Sequence, residues 1–187
     1  EKEIKEFGLL ATLREKIKLN GLEFKLIYFK PETRINEDNI KLYNSNICEC
    51  VRQLHYSIDT NNSLDVVLFV NGFPLVTMEL KNQYTGQDVN NAVRQYKENR
   101  NQNEPIFLFN ERSLVHFAVD LFECKMTTKL DGEKTFFLPF NQGSNGAGNV
   151  GGAGNPNNEY GFGTAYLWES VLKKRCFIRY SSKIYAS

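Results

Sequence analysis

Residues 64–82, LDVVLFVNGFPLVTMELKN, constrain the rest of the chain more than any other stretch. They read as two apolar strands joined at Asn71-Gly72, a dipeptide suited to the positive φ angles of a tight hairpin turn. Strands this apolar are normally buried, and a charge inside them is costly unless something compensates it. Three charges stand there nevertheless: Asp65 opens the first strand, and Glu79 and Lys81 interrupt the end of the second. If the connection spans Asn71, Gly72 and Phe73, Asp65 falls opposite Glu79. Period-2 alternation then puts Asp65, Glu79 and Lys81 on one face. Two carboxylates converging on a buried edge, with an ammonium beside them, suit a hard cation such as Mg²⁺ and a phosphate. The same triplet also suits a salt-bridged hairpin with its charges at a solvated strand end. What favours a site is placement, because these are the only charges within residues 64–81.

A chain of 187 residues is long enough for one domain with a sizeable core. Its hydrophobic share of 41% and charged share of 24% are those of an ordinary globular protein. No apolar run approaches membrane length, and the opening EKEIKEFGLL lacks the basic and apolar regions of a signal peptide. Cys48, Cys50, Cys124 and Cys176 include one Cys-x-Cys and are otherwise far apart. That spacing suits neither a zinc site nor a secreted disulfide framework, so the expectation is reduced thiols in a cytoplasmic protein. With a net charge of +1, any nucleic-acid contact must come from local basic clusters or from partner chains.

Along the chain, residues 3–20 read as a helix with Ile4, Phe7, Leu10, Leu13 and Ile17 on one stripe, ended by Asn20-Gly21. The chain opens inside this charged sequence without a Met, so the expectation is that upstream residues are missing or processed. Residues 22–29 predict a strand stopped by Pro31, and residues 37–46 a short helix or loop. Residues 50–57 predict a strand whose polar run, Arg52, Gln53 and His55, faces a cleft. A helix is predicted over 88–100, with Val89, Ala92, Val93 and Tyr96 as its apolar stripe and Arg94, Lys97 and Arg100 on other faces. Those cations suit a solvated face and equally suit DNA phosphates. Residues 106–109 and 114–120 predict two more strands, with His116 a core or edge residue without an assigned role. Residues 124–130 and 135–138 predict a hairpin around Asp131-Gly132. The Gly/Asn-rich stretch 142–158 has no Gly-Lys-Ser/Thr and reads as a surface loop rather than a phosphate-binding loop.

LDVVLFVNGFPLVTMELKN resembles the catalytic hairpin of PD-(D/E)xK nucleases, specifically that of the R (restriction) subunit of type I restriction-modification enzymes. NICECVRQLHYS before it, and AVRQYKENR, EPIFLFNERSLVHFAVD, MTTKLDGEKTFFLPFNQG and GGAGNPNNEYGFGTAYLWESVL after it, extend the resemblance over about residues 21–172. Two departures stand out. Leu64 replaces the proline of the motif name, and the Q-x3-Y element is broken. Gln95 is followed directly by Tyr96, Asn99 stands four positions after Gln95, and Ala92 stands four before Tyr96.

The resemblance implies an α/β restriction-endonuclease-like fold over residues 1–172, a central mixed sheet flanked by helices. It implies a Mg²⁺-dependent endodeoxyribonuclease in which Asp65, Glu79 and the Leu80 carbonyl hold the metal and Lys81 orients the attacking water or the phosphate. Gln95 and Tyr96 are expected to support Lys81 or to contact the DNA backbone along with Arg94, Lys97 and Arg100. The implied partners are double-stranded DNA and the methyltransferase and specificity subunits. ATP would belong to motor domains that this chain does not contain. Two alternatives stay open: a non-cleaving docking module with a nuclease fold, and a stand-alone resolvase or type II-like nuclease. Residues 173–187, KKRCFIRYSSKIYAS, depart from the family pattern. Given adenine-rich codons, dropping one adenine at residues 173–175 yields Lys-Lys-Asp-Ala-Leu-Leu-Asp-Ile-Leu-Gln, an amphipathic helix. The expectation is a frameshifted or truncated end of a longer R subunit.

Overall fold

A computed structural model of the chain describes residues 1–31, 36–143 and 154–173. Two short helices, α1 (Lys2–Phe7) and α2 (Leu9–Arg14), lead into a small hairpin of β1 (Ile17–Leu19) and β2 (Leu22–Phe24). Helix α3 (Glu37–Ser45) precedes β3 (Cys48–His55), β4 (Ser63–Val70) and β5 (Phe73–Leu80). Helix α4 (Val89–Asn99) then crosses to β6 (Val115–Val119), followed by β7 (Cys124–Thr127) and β8 (Leu138–Pro139). The last six strands form one mixed sheet in the order β3-β4-β5-β6-β7-β8. Only β5 and β6 run parallel, because α4 carries the chain back across the sheet between them. The architecture is α/β with helices flanking the sheet, compatible with a restriction-endonuclease-like fold.

Both faces of the sheet are buried, which is why β4 and β5 read as nearly continuous apolar runs. On one face Leu9, Leu10 and Leu13 pack with Val76, Met78, Phe117 and Val119. On the other, Tyr96 of α4 joins Leu64, Val67, Ile106 and Phe107, and Val89 and Ala92 cover Ala118. Helix α4 starts where Asp88 accepts from the amides of Asn90 and Asn91, while the Asn91 side chain returns a bond to the Asp88 amide. A reciprocal cap of this kind removes two orphan donors at once and pins the first turn. Its buried residues, Val89, Ala92 and Tyr96, follow helical spacing along the predicted stripe.

The hairpin at the centre reaches the expected pairing by an unexpected route. Val70 pairs with Phe73, so the turn is the two residues Asn71 and Gly72, at φ +49° and +81°. Continued without a break, that register would set Asp65 opposite Met78. A bulge intervenes: Phe69 pairs with Pro74 but Leu68 pairs with Val76, leaving Leu75 as the extra residue. The register therefore shifts by one, Val66 pairs with Met78, and Glu79 takes the position across from Asp65. Since a one-residue slip turns every side chain to the other face, this bulge decides whether Glu79 or Met78 faces α4.

Elsewhere the structure corrects several expectations. The helix expected over 3–20 ends early, because Gly8 at φ +83° breaks it and Asn20-Gly21 is a hairpin turn, not a helix end. Lys16 to Glu23, at 2.6 Å, closes that hairpin on its exposed side. The strand expected over 22–29 stops at Phe24. Beyond it the main chain is held by side chains instead of a ladder: Asn71 Nδ2 donates to the Leu26 carbonyl, and Asn46 exchanges two bonds with Tyr28. The strand expected over 106–109 is a 3₁₀ turn, Pro105–Phe107, with proline at its first position, where a missing N–H costs nothing. Most of the loop 142–158 and the tail from residue 174 onward lie outside the described residues.

Candidate active site

Strand alternation and the bulge bring Asp65, Glu79 and Lys81 to the α4 side of the sheet, at the end of β5. Asp65 is fixed on both oxygens. Its Oδ2 accepts the Leu80 amide at 2.7 Å, and its Oδ1 accepts from Gln53 Nε2 at 2.9 Å. Gln53 in turn accepts from the Ser63 hydroxyl at 2.9 Å, so β3 and β4 together hold the carboxylate. Each oxygen keeps a second lone pair free for another ligand.

Glu79 is fully buried. Its Oε1 receives both Arg100 Nε and Arg100 Nη2 at 2.7 Å, while its Oε2 has no hydrogen-bond partner. Burial outweighs the attraction of Arg100, and repulsion from Asp65 acts in the same direction as burial, so the Glu79 pKa rises to about 7. Lys81 opposes this shift weakly, which places its ammonium in electrostatic reach of the pair. The cleft beside them holds about 470 Å³ and is lined by Ser63, Asp65, Lys81, Arg94, Gln95 and Arg100, among others.

The structure separates the residues of α4. Gln95 and the exposed Arg94 stand on the cleft wall, with Arg94 in a loose pair with Glu98 at 3.8 Å. Lys97 does not line the cleft; its ammonium donates to the Glu133 carbonyl at 3.2 Å. Tyr96 is a core residue, and its hydroxyl meets Thr77 Oγ1 at 2.8 Å, so it supports Thr77 and not Lys81. Thr77 also bonds His116 Nδ1 at 2.8 Å, which gives the unassigned histidine a place beneath the site. Complete burial holds the His116 pKa down at about 3, so this imidazole is neutral. Arg100 also lines the cleft, and its guanidinium is paired with Glu79.

Sequence reasoning placed Arg100 among DNA contacts and left Gln53 as one of a polar run. A signal for Arg100 was present. It stands four residues after Tyr96, just past the end of α4 and in line with its buried stripe, and a buried cation requires a carboxylate partner. Gln53 carried no comparable signal, because its reach to Asp65 depends on the strand pairing.

These groups fit a hard divalent cation. Oε2 of Glu79 is a buried, unpartnered acceptor, and Asp65 lies across the strand pair from it. Extended backbone sends the N–H and C=O of one residue to the same edge, so the Leu80 carbonyl lies on the edge where its amide meets Asp65. Among the described residues no cluster of three or more His, Cys, Asp or Glu side chains could hold a metal. A two-carboxylate site would complete its shell from main chain, phosphate and water, the habit of Mg²⁺.

No helix among the described residues is long and apolar enough to cross a membrane. No curated protein and no solved structure matches the chain. A family model described as type I restriction enzyme R protein N terminus matches residues 2–135, most of the chain and all of the site described above. The chain belongs to the family of type I restriction enzyme R protein N-terminal regions.

Proposed function

We propose that this chain is the Mg²⁺-dependent endodeoxyribonuclease domain of a type I restriction R subunit. In this reading it hydrolyses phosphodiester bonds of double-stranded DNA within a complex that also holds methyltransferase and specificity subunits. The observation that carries the reading is the pairing of Asp65 with a fully buried Glu79 whose Oε2 has no partner. A purely structural ion pair has no reason to leave one buried oxygen unsatisfied, since such an atom costs about 1–3 kcal/mol.

Asp65, Glu79 and the Leu80 carbonyl would hold Mg²⁺, which activates a water and offsets charge on the phosphate when bound. The chain's own contribution is positioning. Gln53 and the Leu80 amide hold Asp65 in one orientation. Lys81, on the wall of the cleft, orients the phosphate or the attacking water as a point charge. Arg94 and Gln95, on the facing wall, contact the DNA backbone without reading bases. ATP is required only by motor domains of the full-length subunit and has no role in this cleft.

The test is plasmid cleavage by the assembled restriction complex carrying Asp65→Ala, Glu79→Ala or Lys81→Ala. Each should lose cleavage by about 100-fold or more while assembly and ATP hydrolysis persist, the scale for removing one preorganised charge at a reacting centre. Cleavage at the wild-type rate by the Glu79→Ala complex would remove Glu79 from the site.

A further inference from the structure

The two oxygens of Glu79 are treated unequally. Arginine usually meets a carboxylate fork to fork, with one N–H to each oxygen. Here Arg100 Nε and Nη2 both converge on Oε1, each at 2.7 Å, and occupy both of its lone pairs. Oε2, equally buried, receives nothing. The guanidinium is held in this pose from behind. Nη2 also donates to the Ser63 carbonyl at 2.9 Å, and Nη1 to the Asn99 carbonyl at 3.4 Å. The Tyr56 ring lies 5.8 Å from it, and the residue is only 6% exposed.

We propose that Arg100 is a metal-specificity residue: by filling Oε1 it confines Glu79 to a single ligating oxygen and selects Mg²⁺-sized ions against Ca²⁺. This deepens the metal-dependent nuclease reading and rests on it. Ca²⁺ takes six to eight oxygens and commonly binds carboxylates through both, whereas Mg²⁺ requires a tight octahedron and takes one oxygen per carboxylate. For Glu79 to bind in bidentate fashion, two charge-assisted hydrogen bonds must break and a buried guanidinium must lose its partner. Asp65 exerts no such restriction, because each of its oxygens carries one hydrogen bond and keeps one lone pair. Discrimination by coordination number therefore falls to Glu79 and, through it, to Arg100. The role is one of positioning, since Arg100 acts on the ion only through Glu79.

The experiment measures Mn²⁺ binding to the full chain by the electron paramagnetic resonance of free Mn²⁺, with Ca²⁺ as competitor. It compares the wild type with Arg100→Gln, Arg100→Lys and Asp65→Ala. The wild type should bind Mn²⁺ and resist displacement by Ca²⁺, and Asp65→Ala should bind Mn²⁺ more weakly. Arg100→Gln should raise the ratio of Ca²⁺ to Mn²⁺ affinity by about tenfold, the lower end of what outer-shell partners contribute. Arg100→Lys, a point charge without a fork, should give a smaller rise, and it carries the test if the glutamine variant does not fold. A merely structural role would weaken both ions alike and leave the ratio unmoved. An unchanged ratio in a folded Arg100 variant that still binds Mn²⁺ overturns the proposal and leaves the nuclease reading standing. Failure of the wild type to bind Mn²⁺, or indifference to Asp65→Ala, overturns the metal site itself and the proposal with it.

Discussion

Gln53 donates to Asp65 Oδ1 across the β3–β4 pair at 2.9 Å, and does so from a left-handed backbone position at φ +51°. Few residues other than glycine adopt that conformation, and the regular ladder skips this pair while holding Arg52 to Val66 and Leu54 to Leu64. The local distortion turns the Gln53 amide onto the carboxylate and its carbonyl onto Ser63. Strained conformations of this kind cluster at functional sites, and this one stands beside a candidate metal ligand.

Gln53→Gly separates the strain from the hydrogen bond, because glycine accepts the positive φ at little cost. The expected outcome is an unchanged or slightly higher melting temperature with cleavage reduced about 10–100-fold, the usual effect of losing an outer-shell partner. Thermal melts and plasmid cleavage on the same preparations check it.

Glu79 makes stability fall as pH rises through a defined window. Its folded pKa of about 7 lies above its ordinary value of 4.5, chiefly through burial. The stability it contributes is complete below pH 4.5 and is lost as pH climbs to about 7, by roughly 3 kcal/mol in all. Glu79→Gln should remove this slope, so that denaturant midpoints of variant and wild type diverge between these pH values. Parallel pH profiles would contradict the assignment.

His116 acts in the opposite sense. Burial lowers its pKa from 6.5 to about 3, so the stability it contributes is present above pH 6.5 and is lost as pH falls toward 3. Between pH 4.5 and 6.5 the two slopes oppose each other, and wild-type stability should vary little with pH. His116→Gln should then expose the descending slope of Glu79, and Glu79→Gln the ascending slope of His116. Denaturant titrations at pH 4.5, 5.5 and 6.5 distinguish the three proteins.

Gly8 links α1 to α2 at φ +83°, and any Cβ placed there would collide with the side chain of Asn110. The adjacent Leu9 amide donates to the Asn110 carbonyl, so the close approach is built into the fold. Gly8→Ala should cost about 2 kcal/mol or more through combined strain and overpacking, read as a lower melting temperature. Gly21→Ala, also at positive φ but with open space around it, should cost less.

Much of this protein follows from its sequence because local periodicity reports local structure. The apolar runs of residues 64–80, the Asn71-Gly72 turn, the stripe of α4 and the three charges of the central hairpin are all legible in one dimension. What the tertiary structure alone decided are the relations between segments. The Leu75 bulge, and not a three-residue turn, carried Glu79 across from Asp65, because pairing optimises two strands together. Asn20-Gly21 satisfies the requirements of a helix end and of a hairpin equally, and only the pairing of Ile17 with Phe24 settled which. Arg100 meets Glu79 because the fold buries the two side chains together, although they lie 21 residues apart in the chain. Burial is a property of the assembled core, and it sets the partner of Arg100, the pKa of Glu79 and the neutrality of His116.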